Sequence, residues 1–80
     1  MHNAFLQNAE METNQRLKRA RERRYAKASL AAEAMGVPYG TYAAHENGSR
    51  GIKIDDLKRY ARFFGVSQQW LIFETGDPSY

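Results

Sequence analysis

The stretch "LAAEAMGVPYGTYAAHENG", residues 30–48, holds the signals that decide the fold. Its alanine-rich first half is typical of a helix, and Gly36 is suited to cap the C-terminus of that helix. Pro38 fits the first turn of a following helix, where a missing N–H costs nothing. Asn47 and Gly48 then end it. We therefore predict two short helices, Lys27–Met35 and Pro38–His45, joined by a tight turn.

Three more helices are predicted around this pair, which together form a helix-turn-helix. Thr13 is a candidate N-cap for a first helix that ends near Arg24 or Tyr25. A fourth helix covers "IDDLKRYARFFG" and ends at Gly65, and Ser67 caps a fifth over "QQWLIF". The expected fold class is all-α, a compact five-helix bundle. Residues 13–74 form the domain, with a flexible N-terminal tail at 1–12 and a C-terminal tail at 75–80.

The apolar spacing selects the side chains that face the core. The inward residues expected on the fourth and fifth helices are Ile54, Leu57, Ala61, Phe64, Trp70, Leu71 and Phe73.

Length and composition limit the class of protein. Eighty residues suffice for one small domain. The lack of cysteine excludes disulfides, thiol nucleophiles and cysteine-based zinc sites, and it suits the reducing cytoplasm, where we expect the protein to act. No apolar run is long enough to span a membrane, and residues 1–15 lack the pattern of a signal peptide.

Charge is distributed unevenly along the chain. All twelve Lys and Arg residues lie between Arg16 and Arg62, with only five of the nine acidic residues. A basic body with acidic ends indicates a polyanionic partner. An ordinary solvated surface explains the charge equally well at this point.

Four motifs in order resemble the Cro and phage-repressor (Xre-type) family of helix-turn-helix DNA-binding domains. They are "RLKRAR" in the first helix, "LAAEAMGV" across the turn, "HENGSR" after the third helix and "LKRYARFFGVSQQWL" at the end. The similarity runs from about Arg16 to Leu71 without a gap. It implies double-stranded DNA as the partner, with the third helix in the major groove.

The resemblance also implies which residues read bases. Tyr39, Gly40 and Ala44 occupy positions that commonly do so, with Thr41 and Ala43 close by. Since relatives often carry Gln, Ser or Arg there, this helix is poor in hydrogen-bond donors. We expect readout through thymine methyl groups, the Tyr39 hydroxyl and DNA shape, with Gly40 allowing close approach of the backbone.

Backbone contacts follow from the same resemblance. Asn47, Ser49 and Arg50 stand where relatives touch phosphates, and loop N–H groups are expected to add contacts. Lys27 begins the second helix, whose N-terminus points at a phosphate in this family. Relatives usually have Ser or Thr followed by Gln there, whereas this chain has Lys27 and Ala28. Lys27 is thus expected to supply a point charge instead.

A structural ion pair is implied between Arg21 of the first helix and Glu46 of the "ENG" turn, because relatives pair these positions. Tyr42 stands where the family keeps a buried apolar residue, so the resemblance implies that it lies in the core. His45 replaces an apolar residue of the family pattern and is expected to be packed or hydrogen-bonded. No second ligand lies at helical spacing to it, so no metal site is expected. Asp55 and Asp56 at the start of the fourth helix suit its dipole and need no catalytic role.

Three functions fit these patterns, and no enzyme, cofactor or small-molecule ligand is among them. The first is a repressor that binds a palindromic operator as a homodimer, with Trp70, Phe73 and the "FETGD" exit as the expected dimer surface. The second is an antitoxin-type regulator whose segment "MHNAFLQNAEM" binds a partner protein. The third is an interaction module that has lost DNA binding, since a fold alone does not prove function. The charge distribution and Arg50 argue against the third.

Overall fold

The computed structural model describes residues 12–73, which form five helices. The predicted all-α class is confirmed. The antitoxin segment, the "ETGD" exit and the C-terminal tail lie outside the described residues. Between residues 12 and 73, no helix is both long and apolar enough to cross a membrane. The helices are α1 (Thr13–Glu22), α2 (Ala28–Met35), α3 (Tyr39–Asn47), α4 (Ile54–Phe64) and α5 (Gln68–Phe73).

Helix α1 starts at a different cap from the one that the sequence indicated. Its N-cap is Glu12, whose backbone N–H donates to the side-chain oxygen of Gln15 at 2.8 Å. Thr13, predicted as the cap, is the first helical residue, and its hydroxyl accepts a hydrogen bond from Arg16 Nη2 at 3.1 Å. Glu12 is therefore part of the capped start of α1.

The turn between α2 and α3 is built as predicted. Gly36 ends α2 with φ of +74°, a left-handed conformation that favours glycine. The Val37 N–H then donates to the Ala32 carbonyl at 3.0 Å, which closes the end of the helix. Pro38 is the N-cap of α3 and not its first residue, and Gly48, at φ of +82°, ends α3.

A core of aromatic and small residues lies between the helices. Tyr42 is fully buried, as predicted, and its ring meets that of Tyr60 edge-on at 5.3 Å. The prediction for Ile54 is wrong, since this side chain is exposed in the first turn of α4, at the border of the inward face. Tyr60 completes that face. The buried apolar residues are Leu17, Ala20, Ala31, Ala32, Tyr42, Leu57, Tyr60, Ala61, Phe64, Val66 and Leu71.

Helix α5 presents its apolar residues to different surroundings. The Trp70 N–H donates to Ser67 Oγ at 3.1 Å, so the predicted cap is confirmed. Leu71 is fully buried, and Trp70 is half-buried against the core. Phe73, predicted as a core residue, is 67% exposed because it lies two residues beyond Leu71, on another side of the helix.

Two arginines, one in α1 and one just after it, donate hydrogen bonds to carbonyls at the C-terminal ends of other helices. Arg16, which is buried, donates from Nε to the Leu71 carbonyl at 3.1 Å and from Nη2 to that of Ile72 at 3.2 Å. Arg24 donates from Nη1 to the Phe63 carbonyl at 3.1 Å, near the end of α4. Cations suit helix C-termini because the last carbonyls lack partners within the helix. Part of the positive charge therefore holds the bundle together.

Candidate nucleic-acid interface

Helix α3 divides into a buried face and an outward face. Tyr42, His45 and Glu46 are buried, at the spacing of one helical side. At the edge of this buried face Tyr39, at 57% exposure, begins an outward surface that continues through smaller side chains. The helix is thus anchored by three residues, and the rest of its length is free to meet a partner.

An ion pair fixes α3 against α1. Arg21 Nε donates to Glu46 Oε2 at 2.8 Å and Nη2 to Oε1 at 2.9 Å, a two-pronged contact between buried side chains. Arg21 Nη1 also donates to the carbonyls of Tyr25 and Ala26, at 3.1 and 2.9 Å. The hydrogen bond to Glu46 raises the pKa of the Arg21 guanidinium above its ordinary value. The structure thus brings together the two residues that the sequence paired.

Beneath α3, a second polar contact joins it to α4. His45 Nδ1 lies 2.7 Å from the Tyr60 hydroxyl, and both side chains are buried. Burial lowers the pKa of His45 and raises that of Tyr60 to about 12. The imidazole is therefore neutral at pH 7, and the phenol keeps its proton. His45 is thus packed and hydrogen-bonded inside the fold.

Helix α3 contains one buried side-chain oxygen that lacks a hydrogen bond to any described residue. The Tyr42 hydroxyl is buried and forms no hydrogen bond within the described residues. Burial raises the pKa of this phenol, so it stays uncharged. An uncharged hydroxyl costs far less to bury than a phenolate.

The residues expected to read bases lie on the outward side or its borders. Tyr39 and Gly40 are exposed, and Thr41, Ala43 and Ala44 are half-buried. A Cβ added at Gly40 would meet nothing within 4 Å. The glycine is therefore not required for packing in the fold, and it leaves the first turn of α3 without a side chain on that side.

The residues expected to hold phosphates are exposed: Lys27 is the N-cap of α2, Asn47 is the last residue of α3, and Ser49 and Arg50 follow that helix. Asn47 Oδ1 accepts the Ser49 N–H at 2.9 Å, and the Arg50 N–H donates to the Ala44 carbonyl at 3.3 Å. These two loop N–H groups thus bond inside the chain, whereas the side chains of Lys27, Ser49 and Arg50 are exposed.

Sequence reasoning missed Lys18. This exposed residue of α1 borders an open depression of about 270 Å³ that Ala28 of α2 and Tyr39, Ala43 and Asn47 of α3 also line. Its position one turn before Arg21 is the sequence signal that could have indicated it, because residues three apart share one side of a helix.

Among residues 12–73, no group of three His, Asp or Glu side chains is placed to hold a metal ion. The expected dimer residues differ in exposure, since Phe73 projects into solvent and Trp70 is half-buried.

A bundle in which two short helices meet at a glycine turn, with the second exposing one side, defines a DNA-binding helix-turn-helix domain. A family model described as a helix-turn-helix domain matches residues 15–70. The chain belongs to this family, and membership implies that it is a DNA-binding regulator. Comparisons with curated proteins and with solved structures gave no match.

Proposed function

We propose that the protein is a transcriptional repressor of the Xre/Cro–phage-repressor type. It binds a palindromic operator in double-stranded DNA as a homodimer, with α3 of each subunit in the major groove. The observation that carries this proposal is the division of α3 into an anchored face and an exposed face that begins with Tyr39.

The chemistry of the exposed face supports readout by shape and apolar contact. Between Tyr39 and Asn47 it offers Gly40, Ala43 and Ala44, which have no side-chain hydrogen-bond donor, and the half-buried Thr41. Small side chains let the helix approach base edges closely, and alanine can contact a thymine methyl group. The Tyr39 hydroxyl is the donor and acceptor at the start of the helix. We therefore expect an operator rich in A·T pairs at the positions under α3.

Cations at both ends of the motif support phosphate anchoring. Lys27 precedes α2, which has no side-chain cap, and Arg50 follows α3. Unpaired N–H groups at the start of α2 favour an anion there, and the Lys27 ammonium adds a full charge. These contacts would set the register of α3 on the duplex without reading its sequence.

The size of the domain and the exposure of Phe73 support a dimer. A single small module buries too little DNA surface for tight selective binding, and two half-sites one turn apart overcome this limit. Phe73 is a large apolar side chain with 67% exposure at the end of α5. We propose Phe73 and Trp70 as part of the dimer surface. Phe73→Lys should then lower the dimer fraction in sedimentation, whereas Ile54→Lys, at another exposed apolar residue, should not.

The decisive experiment is selection of bound duplexes from a random-sequence pool, followed by sequencing and anisotropy titration of the enriched sites. An enriched palindrome with half-sites about one helical turn apart would support the dimeric repressor. Salt-sensitive binding without any enriched sequence would contradict operator recognition. No binding even at low salt would overturn the function altogether.

A further inference from the structure

We infer that Lys18 binds a phosphate of the DNA strand at the depression between α1, α2 and α3, so that α1 is a third DNA-contacting helix. This inference rests on the proposed function and adds a residue to its binding surface. The charge of Lys18 alone does not distinguish it from the other basic residues of α1.

The depression adjoins the part of α3 that is proposed to read bases. Tyr39, Ala43 and Asn47 line it from α3, Ala28 from α2, and Lys18 from α1. A DNA strand that lies over Tyr39 must therefore pass beside Lys18. The alanines on two sides leave room for a phosphate group. At about 270 Å³ the depression is smaller than typical pockets for small ligands, and it is open to solvent, which suits one group on a long strand.

The Arg21–Glu46 pair holds Lys18 in place. Lys18 stands one turn before Arg21, whose guanidinium grips Glu46 with hydrogen bonds of 2.8 and 2.9 Å. Because α1 is fixed to α3 at this point, Lys18 and Tyr39 keep a constant relation. Arg21 and Glu46 also line the depression, and their charges offset one another. The Lys18 ammonium therefore determines the net charge that a phosphate meets there.

Lys18 has no competing partner in the fold. Within residues 12–73 its ammonium forms no ion pair, whereas Arg16, Arg21 and Arg24 donate to carbonyl or carboxylate oxygens. The side-chain oxygen of Asn47 accepts a hydrogen bond from the Ser49 N–H. The amide NH₂ of Asn47 can therefore donate to an anion beside Lys18. A lysine with a free ammonium beside an amide donor is suited to hold phosphate as a point charge.

The test compares Lys18→Ala with Arg19→Ala in the whole protein. Both variants remove one exposed positive charge from α1, but Arg19 does not line the depression. Anisotropy titrations against a selected duplex and a random one are run at 50–200 mM salt. We expect Lys18→Ala to weaken both affinities about tenfold and to reduce the salt slope by about 1 per subunit. Arg19→Ala should change the slope much less.

The outcomes separate this inference from the proposed function. If the wild-type protein binds DNA and the two variants behave alike, the role of Lys18 is overturned while the function stands. If Lys18→Ala changes which bases are preferred, Lys18 contacts bases and the phosphate assignment is wrong. If the wild-type protein binds no duplex, both proposals fail. Thermal melts establish that each variant is folded, and Lys18→Gln is the second variant should Lys18→Ala be unstable.

Discussion

Arg16 Nε donates a hydrogen bond to the Leu71 carbonyl at 3.1 Å, which joins the first helix to the last. Arg16 is 4% exposed, although arginine usually lies at the surface. Its Nη2 continues to the carbonyl of Ile72 and to the hydroxyl of Thr13. One guanidinium thus supplies partners for the final carbonyls of α5, which a six-residue helix cannot satisfy itself.

Arg16→Met should lower the free energy of unfolding by about 2–3 kcal/mol. The variant keeps an apolar stem but leaves buried carbonyls without the charged donor. Urea unfolding followed by circular dichroism measures the change. Arg19→Met, at an exposed position of the same helix, should stay within about 0.5 kcal/mol of the wild type. Equal stability of the two variants would show that the Arg16 bonds add nothing.

Arg21→Met and Glu46→Leu should each lower the free energy of unfolding by about 3–5 kcal/mol, since each leaves one buried charge without its partner. The double variant should lose clearly less than the two single losses together, because no unpaired charge remains. A double-mutant cycle from urea unfolding gives the coupling free energy. Additive losses would mean that the two side chains act independently, in spite of the 2.8 Å contact.

Acidification should destabilise the protein through His45. Burial lowers the pKa of this imidazole in the fold, although nearby Asp56 acts in the opposite direction, and an unfolded histidine titrates near 6.5. Below about pH 6.5 the unfolded chain binds the proton first, so the free energy of unfolding falls until the lower folded pKa is reached.

The measurement for His45 is urea unfolding at steps between pH 7.5 and 5 for the wild type and for His45→Phe. The variant should show a flatter pH dependence in this window. Groups that both proteins share cancel in the difference. Parallel curves would show that His45 does not titrate on unfolding.

Gly40→Ala should raise stability and weaken operator binding together. The new methyl group meets nothing within 4 Å, and alanine is favoured over glycine inside a helix by about 1 kcal/mol. On DNA, the same methyl group would stand where the backbone approaches the groove. Thermal melts and anisotropy titrations on one protein batch measure both effects. Unchanged affinity in the more stable variant would show that the backbone at Gly40 does not come close to the bases.

Tyr39→Ala and Arg50→Ala should affect binding in different ways. Loss of the exposed tyrosine should change the preferred bases in a pool selection, because it begins the reading face. Loss of Arg50 should weaken binding to all duplexes by a similar factor and reduce the salt slope, as expected of a phosphate contact. An unchanged base profile for Tyr39→Ala would show that Tyr39 does not read bases. An altered base profile for Arg50→Ala would show that Arg50 contacts bases and not only phosphate.

Local sequence signals located the helix-turn-helix well. Gly36, Gly48 and Gly65 end three helices as predicted, since each follows an apolar or alanine-rich run that glycine terminates. The cap at Ser67 was equally readable. These features depend on a few neighbouring residues, so the chain itself carries the information.

The misassigned residues depend on contacts between distant segments. Ile54 and Phe73 fit an apolar pattern, yet no other helix covers them. The side chains of Arg16 and Arg24 are long enough to reach either solvent or a distant carbonyl, and only the packing of α1 against α4 and α5 decides which. The proposed role of Lys18 depends in the same way on distant segments, because the depression that it borders is completed by residues of α2 and α3.

The link from Arg16 to the end of α5 also defines how far the chain can be shortened. A fragment that starts after Gln15 loses the cap of α1, and one that stops before Leu71 removes both α5 carbonyls to which Arg16 donates. The shortest unit that retains both ends therefore runs from Glu12 to Ile72. Trimming either end should open the bundle at the opposite end of the sequence, so protease digestion is expected to remove both terminal helices together.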